Sequence, residues 1–111
     1  MQHEMKLWNE PFLSIKSGCK TIEMRLMDEK RSKISVGDTI VFTNTKTGET
    51  LTCLVKNLYV YPSFEELYQN HDKRSIGYRE NETANPDDML AYYSKEEITG
   101  YGVVGIEVQC I

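Results

Sequence analysis

The chain reads as a small α+β domain in which strands dominate: about five or six mostly antiparallel strands curled into a β-barrel, with short helices at its flanks. Three observations predict this. Alternating or β-branched runs recur at residues 22–26, 39–44, 50–61 and 103–111, while no helical pattern exceeds two or three turns. Thr45-Lys46-Thr47-Gly48-Glu49 is a hairpin connection between two of those runs, with Gly48 as its turn residue. The final run has no strand after it, so it must pair backwards. Pairing with the first or second strand would close the barrel and remove exposed edges. At 111 residues the chain is one domain, 1–111, by the length prior, and long enough to bury a core without staples.

Taken in order, His3-Glu4-Met5-Lys6-Leu7 alternates weakly and forms a first strand, followed by Trp8. Asn9-Glu10-Pro11 looks like a helix start, with Asn9 as cap and Pro11 in the first turn. Phe12 and Ile15 supply the apolar face, and Gly18 suits the left-handed residue that ends a helix. The strand from Thr21 to Leu26 comes next. Asp28 to Lys33 is a charged connection, and Ile34-Ser35-Val36-Gly37-Asp38 a tight turn with Gly37 at positive φ. Thr39 to Asn44 and Thr50 to Tyr61 are strands, the second long enough to expect a bulge near Lys56-Asn57.

Pro62 ends that strand. Ser63-Phe64-Glu65-Glu66 is a capping box, opening a helix over roughly 64–70. His71 to Asn85 is polar and without period, a long surface loop of the kind that is usually functional or mobile. Asn85-Pro86 begins a second helix, and Ser94-Lys95-Glu96-Glu97 a further capped turn. Gly100-Tyr101-Gly102 breaks it, and Val103 to Ile111 is the closing strand.

Composition bounds the function classes. Net charge is −4, which speaks against a surface that grips nucleic acid all round. The charge is uneven: residues 1–45 carry seven basic and six acidic side chains, residues 62–99 four and nine. A locally basic rim on an acidic body is therefore compatible with the sequence. No apolar run approaches the roughly 20 residues of a membrane helix, and the N-terminus lacks a secretory pattern, so a cytoplasmic protein with no membrane partner is expected. Cys19, Cys53 and Cys110 are odd in number and far apart, without CxxC spacing, and His3 and His71 form no metal-binding pair. No disulfide framework, metal or cofactor is expected. The cysteines read as small apolar fillers, with Cys19 kept open because it sits beside Lys20 just after a helix end.

The functional chemistry concentrates in Ser17-Gly18-Cys19-Lys20-Thr21-Ile22-Glu23-Met24-Arg25-Leu26. Ile22, Met24 and Leu26 fall on one side of the strand, Thr21, Glu23 and Arg25 on the other, with Lys20 at its entrance. Any half-buried strand with a solvated outer face gives this alternation too, and such surface pairs contribute little. The functional alternative is a row of charges acting on a common ligand. With Glu23 beside it, Lys20 is expected to stay an ammonium, suited to a phosphate or a carbonyl oxygen. Arg25 offers a planar fork. Tyr59, Tyr61, Tyr78, Tyr92, Tyr93 and Tyr101 offer stacking surface, and Trp8 sits where it could form a cleft mouth.

Ile15-x-x-Gly18-x-Lys20-Thr21-x-Glu23-x-Arg25 resembles the signature of the ASCH domain, a member of the PUA-like superfamily. Val36-Gly37-Asp38-x-Ile40-Val41-Phe42, the Ser63-Phe64-Glu65-Glu66-Leu67 helix, Tyr92-Tyr93-Ser94 and Tyr101-Gly102-Val103-Val104-Gly105-Ile106 reinforce it over nearly the whole chain. The resemblance implies a PUA-like β-barrel with a cleft that takes RNA or a nucleotide-like ligand. Carried over by motif position, Lys20, Thr21, Glu23 and Arg25 line it, and Trp8 and Arg79 join them as ligand-binding candidates. Some small bacterial relatives hydrolyse the amide of N4-acetylcytidine with a Lys, a Thr and a Glu. That Lys falls on Lys20, the Thr position is occupied by Glu23, and the Glu would lie near the 71–85 loop, where Glu80 and Glu82 are both candidates. If the protein is an enzyme, Lys20 and Glu23 are its catalytic residues. Three readings stay open: an RNA- or nucleoside-binding module, a hydrolase of a nucleoside amide or an RNA phosphodiester, and a domain whose charged face is structural and whose partner is another protein.

Overall fold

The computed structural model describes residues 1–111. Five strands, β1 (Gln2–Leu7), β2 (Ile22–Leu26), β3 (Thr39–Asn44), β4 (Thr50–Tyr61) and β5 (Val103–Cys110), form one sheet in the order β1-β3-β4-β5-β2. Four short α-helices surround it: α1 (Asn9–Ser17), α2 (Glu29–Ser32), α3 (Phe64–Asn70) and α4 (Lys95–Tyr101). The Asn85-Pro86 start opens a 3₁₀ helix, Pro86–Ala91, rather than an α-helix. The β1–β3 pair is parallel and the other three are antiparallel.

One strand curls the sheet. The first part of β4, Thr50–Leu54, pairs with β3, whereas Cys53–Tyr61 pairs with β5, and the register slips between Val55 and Asn57. That bulge falls where the sequence predicts it and bends the strand between its two partners. The curl stops short of closure. The last strand pairs with β2 as well as β4, yet β1 and β2 remain unpaired edges. The structure is thus a curled half-barrel, and the seam between β1 and β2 is where the backbone offers free polar groups.

The core has two parts. Phe12 and Ile15 of α1 enter the larger one, among Met5, Ile40, Phe42, Val55 and Ile106. The smaller one lies on the other face of the sheet, where Ile22, Met24 and Leu26 pack against Phe64, Leu67 and Met89. Gly105 is small there for a reason: a Cβ would stand 3.1 Å from the Ile22 side chain and 3.5 Å from that of Leu67.

Three local expectations are corrected. The N-cap of α1 is Trp8, with no side-chain cap bond. Asn9 is instead held by the hairpin, its Oδ1 accepting from Asn44 Nδ2 at 2.9 Å. At α3, Ser63 accepts from the Glu66 amide, but the reciprocal bond that completes a capping box is made only at Ser94 and Glu97 of α4. Third, the polar row of β2 is not a solvated face. Glu23 stands opposite Ile106 and Arg25 opposite Val104 on β5, and opposed residues share a face. Both partners belong to the larger core, so the charged side chains point into the curl and not away from it.

Candidate functional site

The site is assembled where α1 hands the chain to β2. Gly18 closes the helix in the left-handed conformation, φ 87°, with its amide on the Ile15 carbonyl. The Lys20 amide then donates to Ser14 O at 3.1 Å, turning the chain back along the helix. The amides of Thr21 and Ile22 both donate to Ser75 O at 2.9 Å, which docks the 71–85 loop onto the start of the strand. Gly77 in that loop lies over the Lys20 side chain. It has φ +113°, and a Cβ there would stand 3.2 Å from Lys20 Cδ.

Glu23 is the hub. Its Oε1 accepts from Lys20 Nζ and its Oε2 from Arg25 Nε, both at 2.8 Å. The side chains retain only 10%, 5% and 15% exposure for Lys20, Glu23 and Arg25 respectively. Burial by itself would raise the Glu23 carboxyl. The Lys20 ammonium and the Arg25 guanidinium outweigh it and hold the carboxyl below its ordinary value. Arg25 also spans the open seam, its Nη2 donating to Lys6 O on β1 at 2.8 Å. Two cations share one carboxylate, so the cluster carries one uncompensated positive charge in a nearly dry place. Lys20 has given one of its three N–H donors to the protein, and Arg25 Nη1 has no protein acceptor.

Aromatic rings flank this cluster. Trp8 directly follows β1 and is tilted against Tyr92, ring centroids 5.2 Å apart. Tyr92 touches Tyr93 at 6.4 Å, and Tyr93 stacks on Phe64 at 6.1 Å. Burial raises the Tyr93 phenol, and the charges of Arg25, Glu23, Arg31 and Asp28 all act on it, so it stands beside both ion pairs. Trp8 and Tyr92 keep 62% and 53% exposure.

The other tyrosines do different work. Tyr59 donates to Glu107 Oε1, Tyr61 Oη lies 2.9 Å from His71 Nε2, and Tyr78 joins Tyr68 Oη at 2.9 Å and Asp88 Oδ2 at 2.6 Å. Arg79 is exposed and bonds through its backbone alone: its amide donates to Glu82 Oε1 at 2.7 Å and its carbonyl accepts from the Glu82 amide at 3.1 Å. The backbone carbonyls of Glu80 and Glu82 both hold Lys73 Nζ. Neither carboxylate pairs with Lys20. The structure therefore brings Lys20, Glu23 and Arg25 together and puts the Trp8–Tyr92 pair beside them, but leaves Arg79, Glu80 and Glu82 outside the ion-pair network.

A polar hollow of about 350 Å³ adjoins the strand, lined by Ser17, Gly18, Cys19, Thr21, Asp72, Arg74 and Ser75. Of the candidate residues only Thr21 is on its wall. Cys19 is exposed there, its thiol lowered by the Ser17 hydroxyl and by Arg74. The cation beside it is Arg74, where the sequence had suggested Lys20. No three His, Cys, Asp or Glu side chains converge into a group that could hold a metal ion, and no helix is long and apolar enough to cross a membrane. Sequence reasoning missed Gly77 as part of the site, and offered Tyr93 only as one of six tyrosines able to stack. The one local signal for Gly77 was a glycine in a loop whose neighbours Ile76 and Tyr78 are apolar or aromatic.

Together these features define a small α+β, PUA-like fold with a charged cluster at the seam of a curled sheet. The ASCH domain model matches residues 5–110, and the chain belongs to the ASCH domain family. It is similar over its full length to the crystal structure of the hypothetical protein PH0355, with 35% identity, 100% of both chains covered and a TM-score of 0.85. Protein PF0455 from Pyrococcus furiosus, solved by NMR, is 34% identical over 100% of this chain and 98% of that one, with a TM-score of 0.78. A point mutant of ZmASCH from Zymomonas mobilis shares the fold at 15% identity, TM-score 0.68, over 96% of this chain and 66% of that one. No functionally curated protein matches.

Proposed function

We propose that this ASCH domain is a binding module for RNA or a nucleotide-like ligand, and that the ligand's anionic or carbonyl oxygens are taken by Lys20 and Arg25 at the β1–β2 seam. The observation that carries the reading is the uncompensated charge. Two cations flank one buried carboxylate, and each keeps hydrogen-bond donors without a protein acceptor. Buried charge of one sign is costly unless a counter-charge or acceptor arrives, and a phosphate or a base carbonyl supplies one. Trp8 and Tyr92 give the exposed aromatic surface that a base needs for stacking. Thr21, on the wall of the neighbouring polar hollow, extends the path along the strand.

Retention rather than turnover is favoured by the state of the carboxylates. A hydrolase of an acetylated cytidine amide needs a free base beside Lys20. Both oxygens of Glu23 are committed to cations, the Glu82 carboxylate accepts from the Arg79 amide, and the Glu80 carboxylate forms no ion pair with Lys20.

Trp8 is the only tryptophan, so its fluorescence reports on this rim directly. Titrating the protein with mononucleotides, acetylated cytidine and short single-stranded RNA at low salt should quench it. Lys20→Met and Arg25→Gln should each weaken retention by roughly tenfold to a hundredfold, in line with the loss of about 1.5–3 kcal/mol for a charge-assisted bond. Binding should fall steeply with salt if the ligand is RNA. Affinity indifferent to both substitutions, or fluorescence unmoved by every member of the panel, would refute the reading. Release of acetate from acetylated cytidine would replace it with the hydrolytic one.

A further inference from the structure

Two of the three cysteines, remote in sequence, meet across the sheet. Cys53 on β4 stands directly opposite Cys110 on β5. The Ile111 amide donates to Thr52 O at 3.0 Å, so the neighbouring rung is a hydrogen-bonded one. The Cys53–Cys110 rung is then of the non-hydrogen-bonded kind, in which opposed Cα atoms approach to about 4.5 Å. That lies inside the span of about 4.4–6.8 Å that a disulfide bridges. The two Sγ atoms are 3.6 Å apart and the thiols are free. Side-chain rotation suffices to bring them to bonding distance, since the Cα positions are already compatible.

The pair is also wired to the site region. The Cys110 thiol donates to the Ile15 carbonyl at 3.3 Å, the same carbonyl that accepts the Gly18 amide at the end of α1. Cys53 is fully buried, and Cys110 is partly open near the chain end. One sulfur can therefore meet a small oxidant, and the other can reach it only through the first.

We propose that Cys53 and Cys110 form a peroxide-sensitive dithiol, a modification site that closes to a reversible disulfide and frees the last turn of α1 from β5. Cys110 sulfur attacks a peroxide oxygen; the O–O bond breaks, Cys110 becomes a sulfenic acid and one water leaves. Cys53 sulfur then attacks Cys110 sulfur. The S–S bond forms, the S–O bond breaks, and the hydroxide departs with the Cys53 proton as a second water. The two thiols lose two electrons and the peroxide gains them. The Cys110 thiol proton is gone from the product, so the bond to Ile15 O is lost with it. Burial pushes the Cys53 thiol up to about 12, with the Cys110 sulfur adding to it. The second step is accordingly slow at neutral pH and quickens as pH rises.

The test uses the full reduced chain exposed to hydrogen peroxide. Titratable thiols should fall from three, intact mass should drop by two hydrogens, and digestion should link the Cys53 segment to the Cys110 segment. Dithiothreitol should reverse all of it. Cys19→Ser should behave the same way, and Cys110→Ser should abolish the link. Exchange of the Gly18 amide should quicken several-fold on oxidation. The wild type and Cys19→Ser decide the matter even if Cys110→Ser folds poorly. Oxygen adducts on Cys110 without a cross-link, cross-linking only through Cys19, or unchanged Gly18 exchange in the oxidised protein would overturn the proposal.

Discussion

Neutralising the hub should hurt the fold far more than removing either arm. In Glu23→Gln, the amide oxygen keeps one acceptor near the cluster, but the negative charge disappears. Lys20 and Arg25, with only 10% and 15% of their side chains exposed, are left as two like charges facing each other. Removing one partner from a buried pair costs about 3–5 kcal/mol. The slight exposure of both cations and the retained amide argue for the lower end, about 3 kcal/mol. Lys20→Met does the reverse. It leaves the neutral Glu23–Arg25 pair intact, removes the uncompensated charge, and keeps an unbranched stem beneath Gly77; its cost should stay within about 1 kcal/mol. Urea unfolding followed by far-ultraviolet circular dichroism separates the two. With a slope of about 1–3 kcal/mol/M, Glu23→Gln should lower the midpoint by roughly 1–3 M, and Lys20→Met by no more than about a third of that. Equal losses, or a Glu23→Gln protein as stable as the wild type, would mean that Glu23 is not the electrostatic hub, and the charge argument for a ligand would go with it.

The Asp38 carboxyl is lowered from 3.8 to about 2 by the His3 hydrogen bond and the Ser35 amide. Its stabilisation is present above pH 3.8 and lost as pH falls through 2; a carboxylate NMR titration that places Asp38 at its ordinary value removes that contribution. Glu23 behaves with the same sign, its share complete above its ordinary value of 4.5 and lost below its depressed one, so Glu23→Gln should flatten the acid limb of stability. Gly77→Ala meets both an unfavourable φ and the Lys20 side chain. It should cost about 1–3 kcal/mol and weaken nucleotide retention at protein concentrations where the fold is intact. Trp8→Ala should leave the unfolding midpoint almost unchanged, since the ring is 62% exposed, while weakening RNA retention by about 1–3 kcal/mol if a base stacks there.

Local chemistry made much of this protein legible in its sequence. The helix stop at Gly18, the positive φ of Gly37, the bulge after Val55 and the alternation of Ile22, Met24 and Leu26 each depend on a residue and its near neighbours. The motif from Gly18 to Arg25 likewise carries the charged triad in one short segment, and strand geometry alone puts Glu23 and Arg25 on one side. What that side faces depends on residues that the motif does not contain. Ile106 and Val104, some eighty positions away, turn the polar row into the curl because opposed residues on paired strands share a face. Glu23 changes from a surface carboxylate to a buried hub for that reason. The same holds for Gly77 on Lys20, for Trp8 against Tyr92, for the seam bond from Arg25 to Lys6, and for Cys53 opposite Cys110. Propensity and periodicity report which way a side chain points relative to its own strand; strand order and register, fixed by the bulge in β4 and by which edges stay unpaired, decide what it meets.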